Sequence, residues 1–409
     1  MISKMKVLLL LILTVTVSGI ANAAGFSIYE WSARGEAMGG AVLANKAEPA
    51  SIASNPALIT KLEGVQVQAG LFLLDVSAKT KVAGVERKTE SKIFYIPNVY
   101  LTGKLRDNFY FGFGLFSRFG LGETYENYKT WIGSLSAYES SLETFSFNPN
   151  IAIKVNNDLS IAVGLEGMML NFKEKKYING SFVGLPVDSE LSLEGDSIAW
   201  GKNFAVYYNP SFAKEWAAAL TYRTKVSHDV EGKVKSNYAF TAAAPTGDAN
   251  ANITLPDSLS FGLSFNPMEE LVVEADIIRT FWSSYSELRL DYKDGTVLAE
   301  RKDYKDVYRF QLGAEYSLNK NWDIRAGYVF DQSPINEDYM DTLVPAHDRN
   351  IYSVGVGYHQ NNWGIDFTYA YLAAVDFSGK GKIATGQVVP ISYSDSTSNI
   401  IGLNVKYAF

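Results

Sequence analysis

Large apolar residues recur at every second position in run after run of this chain, and a period of two predicts strands. Phe109, Phe111, Phe113 and Leu115 alternate with positions that include Gly112 and Gly114. Leu259, Phe261, Leu263 and Phe265 alternate with Ser260, Gly262 and Ser264. Phe310, Leu312, Ala314 and Tyr316 alternate with Gln311, Gly313 and Glu315, and Ile365, Phe367, Tyr369 and Tyr371 with Asp366, Thr368 and Ala370. An apolar face backed by glycine, hydroxyl or charge fits a transmembrane barrel with lipid outside and lumen inside. A water-soluble sandwich shows the same alternation with its apolar face turned inward, so alternation alone does not separate the two.

The connections do. Short Asn-rich turns recur at 105–108, 156–158, 209–215, 266–270, 319–321 and 359–362. Longer polar stretches lie between them, at 79–91, 120–143, 174–195, 228–256, 289–305, 332–349 and 378–397. Short turns at one end and long loops at the other are the signature of outer-membrane barrels. Six turns give six hairpins, and a first strand at Val65 to Ser77 and a last at Asn399 to Phe409 bring the expectation to about 14 strands, an even number as closure requires. The last strand puts Ile401, Leu403, Val405, Tyr407 and Phe409 on one face. Its aromatic terminus predicts a contact of Phe409 with the barrel-assembly machinery.

Two segments do not alternate. Lys4 and Lys6 precede an apolar run from Val7 to Ile20 and the small residues Ala21-Asn22-Ala23, a cleavable export signal over 1–23. The run is shorter than the roughly 20 residues of a spanning helix. Next comes a segment rich in Ala and Gly that closes on Ser54-Asn55-Pro56-Ala57-Leu58 and reads as a small plug over 24–63, ahead of a barrel over 64–409. A folded leader in front of a barrel has its natural place inside it. The fold expected is therefore all-β, a transmembrane antiparallel barrel with its lumen plugged by an N-terminal hatch, in the bacterial outer membrane.

Composition agrees. The chain has no Cys, 25 Tyr, 23 Phe and 33 Gly, which excludes a disulfide scaffold and thiolate metal sites and suits barrel strands. A net charge of −7 gives no sign of nucleic-acid binding. The histidines His228, His347 and His359 are scattered, without a serine motif or metal spacing, so neither an enzyme nor a metal or cofactor site is expected.

The leader, read as Ala24-Gly25-Phe26 and Ser54-Asn55-Pro56-Ala57-Leu58, resembles the hatch of the FadL/TodX family of outer-membrane transporters. The likeness continues in family order through Ser117-Arg118-Phe119-Gly120-Leu121, Leu255-Pro256-Asp257-Ser258, Phe281-Trp282-Ser283-Ser284, Tyr304-Lys305-Asp306-Val307-Tyr308-Arg309, Asp331-Gln332-Ser333-Pro334 and Asp348-Arg349-Asn350. The resemblance implies a 14-stranded barrel that imports long-chain fatty acids or, as the alternative, aromatic or aliphatic hydrocarbons. A general porin is the more distant alternative, and the plug argues against it. Implied with the family are hatch gating at Asn55, Pro56 and Ala57 and a kinked third strand, from Phe109 to about Thr124. That strand carries the lateral-gate candidates Arg118, Phe119, Gly120, Leu121 and Gly122. Outer-membrane lipid and lipopolysaccharide are the expected surroundings, a hydrophobic small molecule the ligand, and a monomer the expected state.

The ligand candidates divide by role. Phe26, Ile28 and Trp31, with Tyr29, supply an apolar wall or merely anchor the plug. Tyr128, Trp131 and Leu135 in the loop after the third strand read as an exposed capture patch, or as membrane-interface aromatics. Lys305, Arg309 and Arg349 are candidate partners for a carboxylate, or lumen charges balancing Asp306 and Asp348.

Overall fold

A computed structural model describes residues 25–184, 186–236, 246–345, 347–383 and 385–409. The export signal expected over 1–23 lies outside these residues. Fourteen antiparallel wall strands, several interrupted, form one closed ring. They are β1 (Val65–Val82), β2 (Val85–Lys88 and Lys92–Arg106), β3 (Phe109–Phe116 and Gly120–Thr124), β4 (Glu139–Lys154), β5 (Leu159–Ile178), β6 (Ser189–Tyr208) and β7 (Trp216–Arg223 and Val226–Ser236). Then follow β8 (Gly247–Leu255 and Ser258–Met268), β9 (Leu271–Thr280 and Glu287–Tyr292), β10 (Val297–Arg301 and Val307–Ser317), β11 (Trp322–Asp331), β12 (Arg349–Gln360), β13 (Trp363–Ala374 and Phe377–Lys382) and β14 (Val388–Ala408). Pairing from Gln66↔Ala408 to Val82↔Ile391 joins β14 to β1 and closes the ring.

The faces fall as the alternation predicts. Leu263, Phe310, Ile365, Phe367 and Leu403 are exposed, whereas Ser264, Gln311, Asp366 and Asn404 on the intervening positions are buried. The six short turns are where expected. The opposite end differs from expectation: 79–91 and 289–305 are largely strand that runs on to tight turns, at Ala83-Gly84 and around Gly295, both with positive φ, and much of 228–256 and 378–397 is strand as well. Strand that rises clear of the bilayer is polar on both faces, so in sequence it resembles loop.

Residues 25–64 lie against inward-facing side chains of the wall. They include α1 (Ala33–Ala37), capped by Ser32, α2 (Ser51–Ser54) and a 3-10 turn over Pro56–Lys61. Arg34 pairs with Glu315 of β10 at 2.8 Å, the Val42 and Ala44 amides donate to Asp276 and Glu274 of β9, and Ala50 donates to Gln68 of β1. Arg223 of β7 donates to the Ile52 and Ala53 carbonyls, and Thr60 bonds Ser160 of β5 at 2.7 Å. At the facing pair Gly313 and Gly327, any side-chain carbon would collide with the Met38–Gly39 backbone, so only glycine lets the end of α1 sit there.

Among the described residues, two of the interruptions in the ladder flank the stretch from β3 to β6. β2 and β3 pair from Arg106↔Phe109 up to Val99↔Leu115, then not again until the bridge Thr89↔Tyr125. β6 and β7 pair up to Asn203↔Arg223 and resume only at Asp196↔Glu231.

Candidate functional site

A cavity of about 700 Å³ sits at the β2–β3 break. Its inner surface includes Phe26 and Ile28 of the N-terminal segment and Leu74, Ile96, Leu142 and Ile400 of the wall. Its lining also includes Ile93 and Tyr95, which are 51% and 66% exposed on the outward face of β2, and so it reaches the lipid side of the barrel. Across the break, Lys92–Asn98 still pair with β1 and Gly120–Thr124 with β4, but not with each other. The wall is thus continuous above and below a window whose margins are ordered strand.

The orphaned backbone at the window finds its partners in the N-terminal segment. Ser27 bridges Phe119; the Ile28 amide donates to the Arg118 carbonyl at 2.7 Å and the Gly120 amide to the Phe26 carbonyl at 2.9 Å. Trp31 Nε1 donates to the Ser117 carbonyl at 2.9 Å. These bonds replace ladder bonds that a strand in lipid must otherwise make. The Phe26 ring meets Phe119, Trp282 and Tyr285 edge-on, with centroids 4.6 to 6.2 Å away. A Cβ on Gly120 would come 2.5 Å from Ile28 Cδ1, and one on Gly122 2.6 Å from Phe94 Cε1, so both glycines keep the window margin open to large neighbours.

Asn55 is fully buried. Its Oδ1 accepts from the Ala57 amide at 3.0 Å, and its Nδ2 donates to the Leu43 carbonyl at 2.7 Å, so it caps the turn that begins at Pro56 and ties it to the preceding loop.

The other sequence candidates separate. Phe26, Ile28, Phe119, Gly120, Leu121, Gly122 and Arg349 line the cavity. Arg118 turns inward and pairs with Glu166 at 2.8 Å. Trp31 borders a void of only about 40 Å³ deeper in the barrel. The capture-patch expectation requires correction: Trp131 and Leu135 are buried in an apolar cluster under the extracellular strands, and Tyr128 stacks on Tyr138 at 3.8 Å. Trp131 Nε1 donates to the Val85 carbonyl, so this loop folds over the barrel mouth instead of presenting aromatics to solvent. Lys305 is exposed, whereas Lys302, which the sequence did not single out, is buried and paired with Asp341 at 2.5 Å.

Arg309 and Arg349 both contact the same oxygen of Asp331 at 2.7 Å, and the Arg309 guanidinium lies 4.2 Å over the Tyr29 ring. Of these two, only Arg349 borders the cavity; Lys92 is the other basic residue there. In α1, burial and then the neighbouring Glu30 push the Glu36 carboxyl up to about 8, against Arg309 and Arg349. Burial, with Asp331 beside it, likewise raises Asp348, just ahead of β12, to about 8.

Leu74, Phe94, Ile96, Leu142, Leu372 and Ile400 are cavity residues that motif reading did not find. A signal existed. In Leu71-Phe72-Leu73-Leu74, Tyr95-Ile96-Pro97 and Ile400-Ile401 the alternation lapses, and apolar residues occupy both faces.

The profile of the family described as outer membrane protein transport protein (OMPP1/FadL/TodX) matches residues 14–409. The chain belongs to this family. As a FadL/TodX protein it is an outer-membrane transporter. It is 25% identical to a long-chain fatty acid transport protein of Escherichia coli O6:H1, over 96% of both chains. It is 24% identical to outer membrane protein P1 of Haemophilus influenzae, again over 96% of both. Among solved structures, a Pseudomonas aeruginosa FadL homologue superposes with a TM-score of 0.86 at 18% identity, covering 94% of this chain and 100% of the other. The Pseudomonas putida toluene transporter TodX superposes with a TM-score of 0.71 at 19% identity, covering 93% and 99%. These two likenesses are of fold.

Proposed function

We propose that this FadL/TodX transporter takes up long-chain fatty acids and releases them sideways into the bilayer. The observation that carries the reading is the cavity of about 700 Å³ that runs from the N-terminal segment to the lipid face between β2 and β3. Its volume falls within the roughly 300–1,000 Å³ of small-molecule sites. Each methylene transferred from water into such a lining gains about 0.8 kcal/mol, so a long chain prefers it to a wet pore. Residues 25–64 act as the hatch: bonded to strands on several sides, they obstruct the direct route through the lumen, which leaves the window as the exit. Their backbone bonds to Arg118 and Gly120 make the hatch and the window margin move together.

Arg349 and the E. coli relative support an acid as cargo. Arg309 and Arg349 share one carboxylate, so a second anion at the cavity end of Arg349 finds a partner. The second reading, a neutral hydrocarbon, is favoured by the rest of the lining, which is largely apolar. Mass spectrometry of co-purified ligands, followed by uptake assays with a fatty acid and with an aromatic hydrocarbon, tests the choice. The fatty-acid reading expects Arg349→Ala to impair uptake of the acid and spare the hydrocarbon. Equal loss for both, or a neutral ligand in the cavity, contradicts it.

A further inference from the structure

We propose that residues 332–345, between β11 and β12, form a strap that shuts the extracellular mouth of the barrel and lifts to admit cargo, with Asp341 and Lys302 as its latch. The proposal rests on the transport reading and adds an entrance to the exit already described.

The strap crosses the lumen. Its first half lies along β10 and β13: the Lys305 amide donates to the Pro334 carbonyl at 2.9 Å, the Lys380 amide to the Glu337 carbonyl at 2.8 Å, and the Met340 amide to the Lys380 carbonyl at 3.0 Å. A side-chain carbon on Gly379 or Gly381 of β13 would collide with the Glu337 or Met340 carbonyl, so glycine lets the strap lie this close. The second half meets the opposite wall. Thr342 Oγ1 accepts from the Ala137 amide at 2.8 Å and donates to the Ala137 carbonyl at 2.7 Å, just ahead of β4. The Ser140 hydroxyl of β4 donates to the Leu343 carbonyl at 2.9 Å. In a ring of 14 strands, β4 stands seven places from β11 in either direction. Met340, Leu343 and Val344 belong to one buried apolar cluster with Trp131, Phe26 and Phe119, so apolar side chains fill the mouth down to the cavity. Val344 and Pro345 line the cavity itself. Cargo arriving from outside therefore meets the strap first.

The two halves are held differently. Backbone bonds fix the strap as far as Met340. Among the described residues, 341–345 make no bond from backbone to backbone and are held through side chains. The Tyr393 hydroxyl of β14, for one, donates to the Asp341 carbonyl at 2.6 Å. Such a segment lifts without opening any ladder, and its freed polar groups turn to water.

Asp341 is the principal tie. Its Oδ1 accepts from the Leu343 amide at 2.8 Å, and its Oδ2 pairs with Nζ of the buried Lys302 at 2.5 Å. One carboxylate thus shapes the strap and fastens it. Breaking a buried ion pair is costly where it strands a charge. Lys302 is not stranded, because Glu300 lies 3.4 Å away and stays with it when Asp341 leaves. That second partner turns the pair into a latch, and Asp341 into a positioning residue.

The chain has no cysteine, so an engineered pair is unambiguous. Ala137→Cys with Thr342→Cys, oxidised to a disulfide and confirmed by mass spectrometry, ties the strap to the far wall. Whole-cell uptake is then followed for a long-chain fatty acid and for an aromatic hydrocarbon, with the pair oxidised and with it reduced. The disulfide should abolish uptake of whichever cargo the native chain accepts, and reduction should restore it. Equal uptake in the two states overturns the strap and leaves the cargo reading untouched. Native uptake of the hydrocarbon alone overturns the cargo reading, and the disulfide then decides the strap on that hydrocarbon. Uptake of neither cargo by the native chain overturns both. The latch has a readout that needs no cross-link. Asp341→Asn keeps an acceptor for the Leu343 amide but loses the charge that faces Lys302. It should speed hydrogen exchange at 341–345 and leave β11 and β12 unchanged. Unaltered exchange at 341–345, or acceleration spread through β11 and β12, overturns the latch.

Discussion

At the residue scale, two buried side chains of the N-terminal segment make its docking testable. Asn55→Ala removes the cap on the Ala57 amide and the bond to the Leu43 carbonyl. A lost cap costs about 1 kcal/mol, which raises the undocked fraction roughly fivefold. Higher ion conductance in planar bilayers is the expected outcome. Glu36 gives a pH dependence of known sign. Its carboxyl is raised from 4.5 to about 8 by burial and Glu30, so its contribution to docking is complete below the lower value and is lost progressively as pH rises to the upper one. Protease cleavage within 25–64 should accelerate as pH rises from the ordinary Glu value of 4.5 to about 8 and level off above it, and Glu36→Gln should flatten the dependence. A cleavage rate independent of pH in the native chain would count against this. Individual roles were the least legible part of the sequence. Asn55-Pro56-Ala57 could be read as a corner because its chemistry is local. Lys305 and Lys302 differ only in which way the chain turns between the two pieces of β10, and no local pattern records that turn.

At the scale of elements, the third strand carries the strongest consequence. Gly120 tolerates no side chain without pushing Ile28 away, and its amide holds Phe26. Gly120→Val should therefore shift the N-terminal segment and cut fatty-acid uptake, while leaving the barrel's heat-modifiable migration on gels intact. Loss of folding instead would place Gly120 among the barrel's packing residues. Strand number and turn positions were legible because a bilayer imposes a strict period on every crossing strand, whereas the kink near Arg118 was implied only by the family resemblance. The extracellular end was not, because polar strand and polar loop look alike there. The aromatic loop misled for a related reason: composition marks Tyr128, Trp131 and Leu135 as sticky, but folding them under the strands satisfies the same hydrophobicity from within. The cavity was half legible, since the lapses in alternation at Phe72-Leu73-Leu74 and Ile400-Ile401 mark an apolar lumen only once the ring is known to close there.

At the scale of the whole molecule, a closed ring with residues 25–64 bonded to its inward face and a gap in its β2–β3 ladder suits cargo that belongs in a membrane. A general porin would conduct ions steadily; this chain should conduct little until the segment is loosened. Lateral release depends most directly on the window. Whole-cell uptake of a labelled long-chain fatty acid, measured with Phe94→Cys and Gly122→Cys cross-linked and again after reduction, decides it. Uptake that stops on cross-linking and returns on reduction is the predicted result. Uptake that continues unchanged through a sealed window would contradict it.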